Sequence, residues 1–105
     1  MNVNARQDAA TKRIRQLLEK QHAAKHPKAS IDVYRYNPAA IRIRIIDPDF
    51  AEKTIAEREQ AVWRILEQLP DETFSEITVC LLITPEEQRS SLMNLEFEDP
   101  QPTRL

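Results

Sequence analysis

The chain has 105 residues, with 15 Lys plus Arg against 17 Asp plus Glu, one cysteine, seven prolines and no glycine. Without glycine it lacks the backbone positions that a dinucleotide-binding fingerprint, a phosphate-cradling P-loop and the tight turn of an EF-hand require. At 41% hydrophobic and 30% charged it has the composition of one small globular domain, and its charge is polarised: residues 1–45 carry a net +7 and residues 46–105 a net −9.

From about Ala5 to Lys25, Ala10, Ile14, Leu17, Leu18 and Ala24 recur at helical spacing opposite Lys12, Arg15, Glu19, His22 and His26. This pattern predicts an amphipathic helix stopped by Pro27. Residues 31–36 and 41–46 alternate and are rich in β formers, and Asn37-Pro38-Ala39 between them predicts a hairpin. After Asp47-Pro48-Asp49-Phe50, Thr54 and Glu57 form a capping box for a second helix with Ile55, Val62, Ile65, Leu66 and Leu69 on one face, ending near Pro70. Residues 76–83 predict a third strand, and Thr84-Pro85-Glu86-Glu87 opens a short terminal helix. Residues 1–93 form a single domain, and 94–105 are expected to be a loosely ordered, acidic, Pro-containing tail.

The resulting fold class is α+β in the order αββαβα, a three-stranded mixed sheet with two helices on one face. Alternation puts Ile31 and Val33, then Ile41, Ile43 and Ile45, then Ile77, Val79, Leu81 and Ile83 against the helices. The second face would present Asp32, Tyr34 and Tyr36, then Arg42, Arg44 and Ile46, then Thr78, Cys80 and Leu82.

Ile41-Arg42-Ile43-Arg44-Ile45-Ile46-Asp47, Phe50, Arg58, Val62 and Leu66, with the last strand running into Thr84-Pro85-Glu86-Glu87, give residues 12–88 a resemblance to the BolA family. The resemblance implies an αββαβ arrangement akin to the type II KH domain, with regulatory roles or iron–sulfur cluster handling beside monothiol glutaredoxins. The chain departs from the family at Phe50-Ala51-Glu52, where Phe-x-Gly is usual, and at Arg58-Glu59-Gln60, where Arg-His-Arg is usual. The family's histidine opening the last strand has no counterpart, and the hairpin loop holds neither Cys nor His, so no iron–sulfur cluster is expected. The Gly-x-x-Gly clamp of KH domains is absent too.

The chemistry-bearing residues each have a plain structural reading beside a functional one. His22 and His26 stand four apart, a spacing that can hold a metal, but they sit with Lys12 and Arg15 and are read as surface histidines; no metal or other cofactor is expected. Asp47 and Asp49 are read as turn formers. No catalytic constellation is present, so no enzyme activity is expected. Cys80 is either core packing or a thiol activated by Arg42 or Arg44. Arg58 is either a snorkelling arginine paired with an acid or an anion contact. Tyr34 and Tyr36 beside Arg42 and Arg44, raised by Lys12 and Arg15, suit base stacking and phosphate contacts, so DNA or RNA is the first expected partner. A protein partner or homodimer on the same sheet face is the alternative. The lone cysteine, the lack of an apolar run in Met1–Arg6 and the lack of any membrane-length apolar stretch make the cytoplasm the expected location, with no membrane contact.

Overall fold

In the computed structural model, residues 8–90 and 97–98 are described. Helix α1 spans Ala9–Leu18 and opens on a capping box in which Thr11 N–H donates to Asp8 Oδ1 (2.9 Å) and Asp8 N–H donates to Thr11 Oγ1 (2.7 Å). Its buried stripe is Thr11, Ile14 and Leu18. From Glu19 to Ala23 the helix widens into a π segment, closed by an Ala24 N–H bond to Glu19 O at 3.1 Å. The predicted helix therefore continues past Leu18 with one residue more per turn there, which turns the following side chains relative to the α stripe.

Strands β1 (Ser30–Asn37) and β2 (Ala40–Ile46) form the expected antiparallel hairpin, pairing Ile31 with Ile45 and Val33 with Ile43. Two-residue hairpin loops ordinarily need positive φ and hence glycine. No described residue has positive φ. Instead Asn37 Oδ1 accepts from Ala39 N–H at 2.8 Å, and the register shifts between Arg35 and Asn37, so a side-chain turn and a bulge replace the missing glycine.

The crossover from β2 passes through a 3₁₀ turn (Pro48–Glu52) capped by Asp47, then helix α2 (Ile55–Leu66) and a four-residue helix α3 (Asp71–Phe74). The capping box at Thr54 and Glu57 is present, with both reciprocal bonds made. Helix α3 is an addition to the predicted elements; it places Phe74 edge-on to Trp63 with ring centroids 5.4 Å apart. Strand β3 (Ile77–Ile83) then pairs parallel to β2, giving the mixed order β1-β2-β3.

The core lies between the sheet and the two long helices: Ile14 and Leu18 from α1, Val62 and Leu66 from α2, and Val33, Ile41, Ile43 and Ile45 from the sheet. Each such fully buried aliphatic side chain contributes about 1.5–3 kcal/mol. The face of β3 is a correction. Ile41 pairs with Ile77, but Arg42 pairs with Val79, Ile43 with Cys80 and Ile45 with Leu82. Thr78 is the extra residue of a bulge, and beyond it the side chains exchange faces. Leu82 and Cys80 therefore join the core, while Val79, Leu81 and Ile83 stand beside Arg42, Arg44 and Ile46. Alternation could not choose between them because residues 79–83 are apolar throughout.

At the end of β3, Glu87 N–H donates to Thr84 Oγ1 (3.2 Å) and Thr84 N–H donates to Glu87 Oε1 (2.9 Å). The expected terminal helix is a single 3₁₀ turn, Glu87–Arg89. Of the expected tail, Phe97 and Glu98 lie against the second sheet face, and the rest of 94–105 lies outside the described residues. No described helix is long and apolar enough to cross a membrane.

Candidate functional site

The sheet positions Tyr34, Tyr36, Arg42 and Arg44 on one face, as the alternation of β1 and β2 requires. The Arg42 guanidinium lies 3.6 Å from the centroid of the Tyr36 ring, and its Nη1 donates to the Tyr34 hydroxyl at 3.3 Å. Arg44 is buried. Its Nη2 lies 2.7 Å from Asp32 Oδ2 and its Nη1 lies 3.3 Å from Glu98 Oε1. Phe97 meets Tyr34 edge-on at 5.4 Å, and the Arg44 guanidinium stands 5.4 Å over the same Phe97 ring. Tyr34 is 3% and Phe97 7% exposed, so this aromatic pair is closed by the chain itself.

The two helix cations expected to reinforce that face do not reach it, since α1 packs on the other side of the sheet. Lys12 is exposed on α1, whereas Arg15 turns back to donate to Ile31 O (2.8 Å) and Val33 O (3.5 Å) of β1. Arg58 is 5% exposed and fully engaged. Its Nε donates to Phe50 O and Lys53 O, and its Nη1 donates to Leu82 O and, at 2.7 Å, to Glu87 Oε1. Nη2 completes a forked contact with Glu87 Oε2 at 3.2 Å. Of the two readings of Arg58 the structure shows the arginine paired with an acid, Glu87. That guanidinium holds the Glu87 carboxyl below its ordinary value. Cys80 faces the core, away from Arg42 and Arg44, and burial pushes its thiol up to about 12, which fits packing and not the arginine-activated thiol.

A second constellation forms where the C-terminal end of α1 meets the end of β2. His22 is buried, not on the solvent face, and its Nε2 lies 2.8 Å from Asp47 Oδ2. His26 stacks on the His22 ring at 4.5 Å; its Nδ1 lies 2.7 Å from Asp49 Oδ2 and 3.8 Å from Asp47 Oδ2. Burial holds His22 below the ordinary histidine value, against the opposing pull of its hydrogen bond to Asp47. Asp47 is 0% exposed; its Oδ1 accepts from Asp49 N–H at 2.9 Å, the N-cap bond of the 3₁₀ turn. Phe50 walls the inner side, its ring 5.6 Å from that of His22.

This corner opens into a groove of about 310 Å³ between the π segment and α2, whose rim carries Lys25, Lys53 and Arg64. Gln21 and Gln68 exchange amide hydrogen bonds of 2.7 and 2.8 Å across it and fix the spacing of the two helices.

The sequence showed both halves of the corner, the His22/His26 pair and Asp47-Pro48-Asp49, but 25 residues separate His22 from Asp47 and no motif spacing links them. Only the parallel course of α1 and β2 brings their ends together. The usable signal was the acidic turn immediately following the predicted second strand, at the end of the sheet to which α1 also runs. No protein-family model and no curated protein matches the chain, so the fold and the geometry of these two sites are what bear on its function.

Proposed function

We propose that the protein is a non-enzymatic, BolA-like binding module that recognises an aromatic residue followed by an acid on the second face of its sheet. The supporting observation is the seating of Phe97 and Glu98, the ring against Tyr34 and Arg44 and the carboxylate against Arg44. Aromatic edge-to-face contact, a guanidinium over the ring and a charge-assisted hydrogen bond together define a ligand chemistry. A partner protein presenting the same dipeptide chemistry competes for that seat, in the manner of a cis-occupied recognition face.

Phe97→Ala frees the face in the full-length chain. A peptide of residues 94–105 added to that variant is expected to shift backbone NMR signals of residues 32–36 and 42–46. An absence of shifts at those strands at millimolar peptide removes the reading, and concentration-dependent self-association of the variant would assign the seat to a second copy.

Nucleic acid is the second reading, favoured by one observation: Lys12, Arg13, Lys20, Lys25 and Lys28 are all exposed along α1 and the loop that follows. The engagement of Tyr34 and Arg44 moves this reading from the sheet to the helix. It requires binding that weakens steeply with salt and is lost in Lys12→Glu plus Lys20→Glu while Arg42→Ala plus Arg44→Ala retains it. Fluorescence anisotropy with single-stranded RNA and duplex DNA at low salt decides, and no binding to either ends it.

A further inference from the structure

We propose that His22, His26 and Asp47 form a three-residue binding site for one divalent transition-metal ion of the zinc, cobalt or nickel type. One ligand atom from each of His22, His26 and Asp47 falls within a single cluster no more than 4.8 Å across. A tetrahedral ion with bonds of about 2.0–2.1 Å places its donors roughly 3.3 Å apart. The separations of 2.8 Å from His22 Nε2 to Asp47 Oδ2 and 3.8 Å from His26 Nδ1 to the same oxygen lie on either side of that value. Asp49 Oδ2 lies 2.7 Å from His26 Nδ1 and is exposed, so it holds the His26 ring from outside the cluster.

The donors are delivered by three separate backbone devices. The π segment Glu19–Ala23 carries His22, the turn that follows it carries His26, and the end of β2 leads into Asp47. Local π geometry inside a helix is a recurring way of aiming functional side chains. The two imidazoles, four positions apart and stacked, both reach the Asp47 carboxylate.

Charge supports the same assignment. Asp47 is wholly buried, yet its ion-pair partners among the described residues are two imidazoles and no Lys or Arg. A carboxylate taken out of water is costly unless a cation compensates it. A divalent ion held by Asp47 and the two imidazoles supplies that cation. Nitrogen donors with carboxylate oxygens select borderline transition ions over calcium or magnesium, which take all-oxygen sets. The groove beside His22 and His26 leaves the fourth coordination position open, and its Lys25, Lys53 and Arg64 attract a small anion to that position.

The test uses the full-length chain without an affinity tag, stripped with chelator and titrated with zinc and with cobalt(II). The expected result is one ion per chain, visible d–d absorption of tetrahedral cobalt, and NMR shifts confined to residues 20–28 and 45–51. His26 is half-exposed, so His26→Gln should keep the fold while weakening zinc binding by about tenfold or more. Absence of stoichiometric binding, or unchanged affinity in His26→Gln, overturns the site. Should that variant misfold, the cobalt spectrum and the imidazole signals of the unmodified chain decide: unperturbed His22 and His26 resonances at saturating zinc overturn it equally.

Discussion

Arg58 and Asp47 are both charged, both almost wholly buried and both bonded to the backbone around Phe50, but their surroundings are finished in opposite ways. Arg58 finds three backbone carbonyls and both oxygens of Glu87 within the chain. Asp47 finds one backbone N–H and the edges of two imidazoles. Burial of a charge therefore has two meanings in this molecule. The arginine is complete and clamps α2, the 3₁₀ turn, β3 and the terminal turn together, whereas the aspartate is compensated only by groups that also suit a metal ion.

Removing each charge separates the two cases. Arg58→Ala takes the donor from Leu82 O and the cation from Glu87, and is expected to cost about 3 kcal/mol in urea unfolding, the largest effect among these variants. Phe97→Ala removes a ring that covers Tyr34 without reaching the helix-side core, and about 2 kcal/mol is expected by the same measurement. Asp47→Asn keeps an acceptor for Asp49 N–H, so its cost in metal-free protein is expected at about 1 kcal/mol. A loss for Asp47→Asn as large as that for Arg58→Ala would erase the distinction.

Two finer measurements sharpen it. Glu87 is held below its ordinary value of 4.5 by Arg58, so the unfolded chain binds its proton first. The pairing contributes fully above that ordinary value and is lost as pH falls through the lowered folded value. Glu87→Gln should therefore flatten the acid limb of the stability curve between those two points. Cys80, raised to about 12 by burial, should resist iodoacetamide at neutral pH and react at an ordinary thiol rate once urea unfolds the chain.

Local chemistry made much of the fold readable. Thr54 with Glu57 and Thr84 with Glu87 announce their turns by side-chain identity, and Asn37-Pro38 marks the hairpin even without glycine. The three-stranded mixed sheet with helices on one side follows from alternation and from the handedness of crossovers. What escaped were features set by a single inserted residue or by distant packing. The Thr78 bulge reverses β3 within a run that is apolar on both faces. His22 stands four residues after the buried Leu18 and eleven after the buried Thr11, so helical spacing sets it beside the buried stripe, and only its polar identity grouped it with Lys12 and Arg15. Of the sheet-face residues, Tyr34, Tyr36, Arg42 and Arg44 were correctly grouped, but their closure by Phe97 and Glu98 depends on a contact no periodicity encodes.

The arginines that bond to strand backbone have a colloidal consequence. In the order β1-β2-β3 the outer strands are β1 and β3, and each offers a row of main-chain groups to any passing extended segment. Arg15 occupies Ile31 O and Val33 O on one, and Arg58 occupies Leu82 O on the other, the carbonyl next to one already taken by Asp47 N–H. An arginine at each border takes up carbonyls that an added strand would need, and so disfavours in-register, cross-β addition to the isoleucine-rich sheet formed by the described residues.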